Sequence, residues 1–397
     1  MTPLADGFTS EAYISLSETS PITLAQIKYG PIAPDEVVVK TAAVSICATD
    51  LKAAAGKFLD LKPPLILGHE ASGTVLEAGK DVHDLAPGDK VVLSYASCKN
   101  CDECISGGNA YCHSLRELNF TGTRKDGTLA GAVLGDDGKV VQIKGHFFGQ
   151  SSMGRVIVAR ASCAVKLPPT TTAEEMKLFA SLGCGIQTGA GAIWNVARPS
   201  PGSSICIFGA GSVGLAACLA ARLGSPSRLV MVDNSKAKLE MLPACVRDAV
   251  TELVDSGEIQ DEGDFVARLK ALTPDGLGFD FVLDCVGRGE LVRMGHSALR
   301  SRGMVITVGG STDTALQVPL SQHLARGITY RGTHQGDSVP SVAIPLMVDL
   351  WRQGKFKFEQ LLAFYPFEDF DQAVKDLRGG RIVKAVLIND RDIEIPV

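Results

Sequence analysis

Continuous apolar runs of strand length dominate the second half of the chain. Ser204–Phe208 is one such run, and a segment with helical spacing, Leu215–Leu223, follows it. Strands that read as unbroken apolar runs are typical of parallel sheets, which helices cover on both faces. The alternation of such strands with helix-length segments therefore predicts a doubly wound parallel α/β sheet. The other runs of this kind are Arg228–Asp233, Phe279–Asp284 and Gly303–Val308.

The first half of the chain has short strand-like stretches separated by glycine and proline turns. This pattern is typical of an all-β or barrel-like lobe. Glu36–Lys40, continued by Ala42–Ile46, predicts a strand followed by a turn, and Cys47–Asp50 predicts the start of a helix. The glycine-rich stretch 119–145 predicts a hairpin. Further strands are predicted at Ala71–Glu77, Lys90–Leu93 and Gly154–Ala159.

The strand–helix alternation fades from about Gly332 onward. Two helical stretches remain, at Val342–Arg352 and Phe367–Leu377, and a terminal strand is predicted at Lys384–Ile388. A chain of 397 residues is long enough for two domains.

Composition and charge narrow the class of protein. Hydrophobic residues make up 45% and charged residues 21%, as in a globular protein with a full core. The net charge of −5, with no long basic run, argues against nucleic acid or an anionic membrane as the main partner. The N-terminus has no signal-peptide pattern, and no apolar stretch is long enough to span a membrane. Eleven cysteines then indicate a reducing compartment, so we expect a cytoplasmic protein.

Four of these cysteines fall within fifteen residues: Cys98, Cys101, Cys104 and Cys112. Thiolates at this spacing can surround one tetrahedral cation, and Zn²⁺ accepts sulfur ligands without redox chemistry. The alternatives are chance clustering, disulfides, or an iron–sulfur cluster, whose bacterial pattern needs a shorter last gap and a following proline. A zinc ion with four protein ligands has no open position, so the motif predicts a structural zinc site.

A glycine-rich turn follows the first buried strand of the second half. The residues Gly209, Gly211, Val213 and Gly214 lie between that strand and a helix, and Asp233 ends the next strand. This is the dinucleotide-binding fingerprint with its acidic ribose partner. The alternative is a glycine turn in some other α/β sheet. An acidic residue at Asp233 repels a 2′-phosphate, so NAD is favoured over NADP.

Three separate residues, Cys47, His69 and Cys184, form a further candidate site. Taken singly, such a histidine is usually a satisfied structural residue, and such a cysteine is usually a small buried hydrophobe. Taken together, a Cys–His–Cys set leaves a fourth coordination position for water. That arrangement is the open ligand set of a catalytic zinc site.

The order of these motifs resembles that of the zinc-dependent medium-chain alcohol dehydrogenases. It runs from Cys47-x-Thr49-Asp50 and Gly68-His69-Glu70 through the four cysteines to Gly183-Cys184-Gly185 and the glycine fingerprint. The resemblance extends over most of the chain. The stretches that begin at Phe147 and at Gly185 resemble the aryl (benzyl) alcohol dehydrogenase branch.

The resemblance implies roles for individual residues. Thr49 would start a proton relay, and Lys52 stands where the family often has the histidine that ends it, so Lys52 or bulk water would take the proton. Asp50 would orient His69, and Glu70 would lie behind the metal. The remaining implied roles are a catalytic zinc on Cys47, His69 and Cys184, a structural zinc on Cys98, Cys101, Cys104 and Cys112, a ribose contact from Lys238, a pyrophosphate contact from Lys384, and a substrate pocket lined by Phe147 and Phe148.

The resemblance also implies an overall fold and an activity. The fold would be α/β, with a Rossmann doubly wound parallel sheet at 186–334 and a GroES-like β-barrel catalytic domain from 1–185 and 335–397. The activity would be hydride transfer between NAD(H) and a primary alcohol or its aldehyde, with an aromatic or bulky substrate. We expect two zinc ions per chain and a homodimer or homotetramer. The alternative activity is reduction of a conjugated C=C or C=N bond on the same scaffold.

Overall fold

The computed structural model describes residues 7–134, 139–257, 259, 261–310 and 315–390. The chain forms two compact units. The first runs to Cys184 and also includes Val339–Val348 and the chain from Leu362 onward, and the second comprises Gly185–Ser338 and Asp349–Leu361. The domain boundaries given above at 185/186 and 334/335 stay predictions, because these units are defined by compactness and not by function.

The described residues form strands and helices with the following bounds, in chain order within each class. The strands are β1 (Phe8–Ser15), β2 (Thr23–Tyr29), β3 (Glu36–Ile46), β4 (Leu65–Ile66), β5 (Ala71–Ala78), β6 (Lys90–Leu93), β7 (Gly131–Leu134), β8 (Val140–Ile143), β9 (Val156–Arg160), β10 (Ala164–Lys166), β11 (Ser204–Phe208), β12 (Arg228–Asp233), β13 (Glu252–Asp255), β14 (Phe279–Asp284), β15 (Leu299–Thr307), β16 (Thr329–Gly332), β17 (Leu362–Pro366) and β18 (Lys384–Ile388). The helices are α1 (Ala48–Ala54), α2 (Asp102–Ile105), α3 (Leu115–Asn119), α4 (Ala173–Phe179), α5 (Gly185–Gly191), α6 (Ser212–Arg222), α7 (Lys236–Glu240), α8 (Ala244–Arg247), α9 (Glu262–Ala271), α10 (Gly289–Ala298), α11 (Leu320–Arg326), α12 (Pro340–Arg352) and α13 (Phe370–Arg378).

The first unit is built on two sheets of mostly short strands. One has the order β4-β1-β2-β7-β8 and is antiparallel. The other has the order β10-β6-β5-β3-β18-β17, with β9 also paired to β3, and only its β17–β18 pair is parallel among the described strands. Alternate residues of these strands point into shared apolar cores. The predicted barrel-like lobe is therefore confirmed.

The second unit contains a six-stranded parallel sheet in the order β13-β12-β11-β14-β15-β16. Chain order reverses between β11 and β14, which is the switch point of a doubly wound fold. Every residue of β11 is buried, as expected for a central strand covered on both faces. The predicted Rossmann sheet is confirmed.

Local differences from the predicted elements have simple physical reasons. Glu36–Lys40 and Ala42–Ile46 form one eleven-residue strand, because Thr41 is buried and continues the pairing with β5. The hairpin predicted within 119–145 is formed by β7 and β8, while residues 135–138 lie outside the described part of the chain. The first thirty residues, for which no element was predicted, contain β1 and β2.

A buried carboxylate begins β3. Both oxygens of Glu36 accept hydrogen bonds from the Arg124 guanidinium, at 2.8 and 2.9 Å, and Oε1 also accepts one from Nε2 of His146 at 2.7 Å. Glu36 and His146 are both fully buried. Burial alone would raise the pKa of Glu36, but His146 and Arg124 outweigh it and lower the pKa to about 2.

Glu36 should therefore stabilise the fold in a way that depends on pH. The folded-state pKa lies below the ordinary value, so the stabilisation is complete above about pH 5 and is lost as the pH falls towards 2. Between pH 6 and pH 3 we expect wild type to lose about 2 kcal/mol of unfolding free energy that Glu36→Gln does not lose. Denaturant unfolding across this pH range checks the difference. Glu117→Gln, an exposed control on α3, should follow wild type, and a Glu36→Gln curve parallel to wild type would contradict the assignment.

Candidate active site

Three chain segments of the first unit bring Cys47, His69 and Cys184 together. Cys47 is the residue before α1, His69 follows β4, and Cys184 separates a 3₁₀ turn at Ala180–Gly183 from α5. Their ligand atoms, together with a carboxylate oxygen of Glu70, all lie within 4.8 Å of one another. The set offers two sulfurs and one imidazole nitrogen, which are zinc ligands.

The carboxylate of Asp50 ties two of these residues together. Its Oδ2 accepts a hydrogen bond from the Cys47 backbone N–H at 2.9 Å, and its Oδ1 accepts one from Nδ1 of His69 at 2.8 Å. Because a carboxylate can only accept, a His69 proton lies on Nδ1, and in the neutral imidazole Nε2 is then the nitrogen with the lone pair. That Nε2 is buried and has no hydrogen-bond partner among the described residues. An orphaned basic nitrogen beside two thiols fits a metal cation.

The ionisation of the two thiols also suits a cation. A hydrogen bond from Cys184, followed by the nearby charge of Lys384 and by His69, lowers the pKa of Cys47 well below its usual value against the opposing effect of burial. The same hydrogen bond, together with burial, raises the pKa of Cys184. One hydrogen-bonded proton between the two sulfurs thus shifts the two pKa values in opposite directions. A divalent cation would displace that proton, since thiolates are the form that binds metal.

Glu70 and Lys384 form a buried ion pair behind this group. Lys384 Nζ donates a 2.7 Å hydrogen bond to Glu70 Oε1, and both residues are almost fully buried. Burial raises the pKa of Glu70 to about 7 despite the pull of Lys384. Burial would lower the pKa of Lys384, but Glu70 and the two thiols raise it instead. The second oxygen of Glu70 has no partner among the described groups.

The two residues predicted to move a proton both lie on α1. Thr49 is partly buried, and its Oγ1 lies 3.7 Å from the Cys47 sulfur. Lys52 is exposed, one helical turn further along. The hydroxyl is therefore close to the metal-ligand group, whereas the ammonium of Lys52 lies in solvent.

Aromatic side chains surround His69. The ring of Phe148 stacks on the imidazole at 4.7 Å between centroids, and Phe147 meets it edge-on at 5.4 Å. Two further rings, Phe58 and Phe120, contact Phe148 at 6.0 and 5.3 Å. Neither of these last two rings is predicted from the sequence, because isolated aromatic residues carry no spacing signal.

The four clustered cysteines lie on a loop that includes α2. The backbone N–H of Cys101 donates to the Cys98 sulfur and that of Cys98 to the Cys112 sulfur, each at 3.3 Å. Burial opposes ionisation of Cys98, but the backbone N–H groups of Asn100 and Cys101 lower its pKa to about 6. All four are free thiols and their ligand atoms lie within 4.8 Å of one another. The group fits a closed, four-coordinate zinc ion.

The glycine turn of the second unit joins β11 to α6. Gly209 has φ +102°, and a Cβ on Gly214 would lie 1.9 Å from the Gly209 carbonyl oxygen, so both positions require glycine. Asp233 ends β12, where its two oxygens accept backbone N–H groups of Ala210 and Ser235 at 2.8 and 2.9 Å. Gly209 and Asp233 line one cavity of about 360 Å³. Gly211 precedes α6, Val213 is in its first turn, and Lys238 is exposed on α7.

Known protein families match both units. Residues 33–145 match the alcohol dehydrogenase GroES-like domain, and residues 212–350 match the zinc-binding dehydrogenase family. The geraniol dehydrogenase of Castellaniella defragrans is 36% identical over 392 residues, which cover 98% of this chain and 100% of that protein.

The chain belongs to the zinc-dependent medium-chain alcohol dehydrogenases.

Solved structures of other members of the family have the same fold as this dehydrogenase. The benzyl alcohol dehydrogenase of Acinetobacter calcoaceticus is similar with a TM-score of 0.86 and 34% identity, over 96% of this chain and 99% of that one. An alcohol dehydrogenase zinc-binding domain protein from Burkholderia ambifaria gives a TM-score of 0.88 and 34% identity, over 97% and 100%. The predicted family and the predicted class of enzyme, a zinc-binding alcohol oxidoreductase acting on small molecules, are thus confirmed.

The described part of this dehydrogenase contains no helix that is long and apolar enough to cross a membrane. Its structure brings together the three predicted ligands of one zinc, the four predicted ligands of the other, and Gly209 of the fingerprint with Asp233. The roles of these residues remain proposals. For Lys384, the interaction seen is with Glu70, a partner that the sequence did not predict.

Proposed function

We propose that this dehydrogenase oxidises a primary alcohol, aromatic or otherwise bulky, with NAD, and catalyses the reverse reduction of the aldehyde. The observation that carries the proposal is the group of Cys47, His69 and Cys184, whose buried His69 Nε2 has no hydrogen-bond partner among the described residues. Three ligands with room for a fourth are typical of catalytic zinc and not of structural zinc.

We infer two zinc ions per chain, one on this group and one on Cys98, Cys101, Cys104 and Cys112. When bound to the three-ligand group, zinc supplies a Lewis acid that lowers the pKa of an alcohol. Asp50 keeps the His69 proton on Nδ1, so that Nε2 can act as a ligand. The stacked ring of Phe148 shields the imidazole from water on one face.

Thr49 is the residue we propose to accept the alcohol proton. Its hydroxyl lies beside the Cys47 sulfur and can accept one hydrogen bond while donating another. From Oγ1 the proton would leave towards solvent along α1, where Lys52 is exposed. Bulk water or Lys52 would be the final acceptor. Glu70 and Lys384 would form an ion pair behind the metal group, and the carboxylate of Glu70 would offset part of the positive charge of the metal.

NAD is the proposed hydride carrier. Asp233 lines the same cavity as Gly209, where a carboxylate would accept hydrogen bonds from a ribose diol and repel a 2′-phosphate. The N-terminus of α6 would bind the pyrophosphate. Gly211 immediately precedes this helix, and Val213 and Gly214 lie in its first turn. Lys238 would add a ribose contact, and Lys384 a pyrophosphate contact that competes with its ion pair to Glu70.

The aromatic rings around His69 support a bulky, unsaturated substrate. Four phenylalanines, Phe58, Phe120, Phe147 and Phe148, form one cluster against the imidazole. Aromatic pairs favour stacked and edge-on contacts, which an aryl or allylic alcohol can also make. The names of two similar proteins, geraniol dehydrogenase and benzyl alcohol dehydrogenase, agree with this class of substrate.

A substrate panel with measured zinc content tests the proposal. We expect NADH formation with benzyl-type and allylic primary alcohols, two zinc ions per chain, and much weaker activity with NADP. An unsaturated aldehyde added with NADH separates the two candidate reactions, because reduction of the C=C bond instead of the carbonyl would support the alternative activity. Absence of turnover with every alcohol and aldehyde in a zinc-loaded preparation would refute the proposed function.

Asp233 should determine the choice of coenzyme. We expect Asp233→Asn to lower the ratio of kcat/KM for NAD to that for NADP by about 10- to 100-fold, because hydrogen bonds to a charged group are worth about 1.5–3 kcal/mol. Steady-state kinetics with both coenzymes measure this ratio. Asp255→Asn, at the end of the neighbouring strand β13, is the matched control and should leave it unchanged. An unchanged ratio in Asp233→Asn would show that Asp233 does not contact the ribose.

Assembly and location are further proposals. We expect a homodimer or homotetramer, as the family resemblance implies. None of the eleven cysteines, all of which lie in the described ranges, forms a disulfide, which suits a reducing compartment such as the cytoplasm. We also propose that the catalytic domain comprises 1–185 and 335–397 and that the NAD-binding domain comprises 186–334.

A further inference from the structure

The segment that joins β8 to β9 has an unusual backbone next to His69. Phe148, Gly149 and Ser151 all have positive φ angles, of 54°, 73° and 44°. Such conformations are costly for residues other than glycine and persist only where surrounding contacts hold them. Here the Ser151 hydroxyl donates to the Ile66 carbonyl at 2.8 Å, and the Ser152 N–H donates to the Gly68 carbonyl at 2.9 Å. The segment is thus tied to the stretch that carries His69.

This backbone directs Gln150 into the interior. Gln150 is fully buried, and its Nε2 donates to the backbone carbonyls of His69 at 2.9 Å and Ser94 at 2.6 Å. Because both partners are carbonyl oxygens, the NH₂ group must face them, and the orientation of the amide is determined. Its Oε1 is buried and has no hydrogen-bond partner among the described groups.

Ser94 extends this connection to the backbone next to Cys184. Its hydroxyl donates to the Gly183 carbonyl at 2.6 Å, one residue before Cys184. The approach is close, since a Cβ on Gly183 would lie 2.0 Å from the Leu93 carbonyl oxygen. The backbone next to Cys184 is therefore joined through Ser94 and Gln150 to the backbone of His69.

We propose that Gln150 is a positioning residue for the catalytic metal, which with Ser94 fixes His69 and Cys184 relative to each other. Asp50 joins Cys47 to His69 by its two hydrogen bonds. Gln150 and Ser94 join His69 to Cys184, so that all three ligands are connected through buried polar groups. The inference rests on the proposed catalytic zinc site and adds to it the groups that hold its geometry.

The rival explanation is that Gln150 serves only the stability of the fold. The chain offers a matched residue for comparison, since Asn119 is also a fully buried carboxamide that bonds to backbone. Its Nδ2 donates to the carbonyls of Ala96 and Leu115 at 2.9 and 2.8 Å, beside the four-cysteine loop. A purely structural role would make the two carboxamides equivalent in their effect on the three-ligand zinc.

The test measures zinc release from the holoenzyme into a chromophoric chelator. Cys47→Ser and Cys112→Ser each remove one kinetic phase and so assign the two phases to the two sites. Groups that orient metal ligands typically change metal affinity by about 10- to 100-fold when they are replaced. We expect Gln150→Met to accelerate the three-ligand phase by that factor and to leave the four-cysteine phase unchanged. Asn119→Leu should not accelerate the three-ligand phase.

Two further variants test the same connection, so that the result does not depend on how well Gln150→Met folds. Gln150→Glu places carboxylate oxygens against two carbonyls and should accelerate release more than Gln150→Met does. Ser94→Ala removes only the link to Gly183, because the Ser94 carbonyl that Gln150 uses is backbone, and it should accelerate the same phase to a smaller extent.

An unchanged three-ligand phase in Gln150→Met and Ser94→Ala would overturn the proposal. Equal acceleration of both phases in Gln150→Met would also overturn it, since that would indicate general loosening of the unit. If Cys47→Ser itself removed no zinc, the catalytic zinc site would be wrong. Loss of a phase in Cys47→Ser with no effect of Gln150→Met would reject only the positioning role.

Discussion

Replacement of Cys47 by serine is expected to lower kcat/KM by more than about 100-fold and to leave one zinc per chain instead of two. Loss of a group that merely orients a ligand costs about 10- to 100-fold, so loss of a direct ligand should cost more. A serine hydroxyl is a poor substitute, because it does not ionise and offers no sulfur, whereas the surroundings of Cys47 lower the pKa of its thiol well below the usual value. Steady-state kinetics with a benzyl-type alcohol, together with metal analysis, measure both effects.

Cys245→Ser is the matched control for this prediction. Cys245 is a partly buried thiol in the second unit and belongs to neither metal group. Its replacement should leave both turnover and zinc content at the wild-type level. Full turnover in Cys47→Ser would show that the three-ligand group is not the catalytic centre.

Replacement of Cys112 by serine should instead affect stability. We expect the four-cysteine zinc to be lost and the thermal unfolding midpoint to fall by about 10 °C. Structural zinc sites contribute on the order of 10 kcal/mol in small domains, and loss of less than half of that free energy would lower the midpoint by this amount. Turnover per remaining zinc should stay close to that of wild type at low temperature. Differential scanning calorimetry and metal analysis test the two statements together.

The control for Cys112→Ser is Cys163→Ser, because both are buried thiols of the first unit. Cys163 lies in neither metal group, so its replacement should retain two zinc ions and shift the midpoint much less. Equal shifts in the two variants would mean that the four-cysteine group contributes packing only. A loss of turnover per zinc in Cys112→Ser would give that group a part in catalysis.

Local patterns were sufficient to predict the three central strands of the second unit, but not its strands β13 and β16. Ser204–Phe208, Arg228–Asp233 and Phe279–Asp284 are strands with the predicted bounds, since each is a continuous apolar run flanked by turn residues. The glycine turn and Asp233 have fixed offsets from these strands. A motif whose members are close in sequence needs no knowledge of the fold to be identified.

Contacts between distant segments were not predictable in the same way. The partner of Lys384 is Glu70, 314 positions away, and no spacing rule connects them. Gln150 lies in a stretch that resembles the aryl branch, but nothing in the sequence indicates its hydrogen-bond partners. These are the backbone carbonyls of Ser94 and His69, which are distant in sequence. Phe58 likewise contacts the aromatic cluster only because the fold brings it to Phe147, which is far from it in sequence.

The two metal groups differ in the length of chain that each one closes. The four cysteines span Cys98 to Cys112, while the three-ligand group spans Cys47 to Cys184, a distance nearly ten times as long. Loop-closure entropy grows with the logarithm of length, so the longer closure costs about 2 kcal/mol more. The four-cysteine loop would therefore close around its proposed zinc at the smaller entropic cost. The three-ligand group would bind its proposed zinc only after segments of the first unit as far apart as Cys47 and Cys184 have come together.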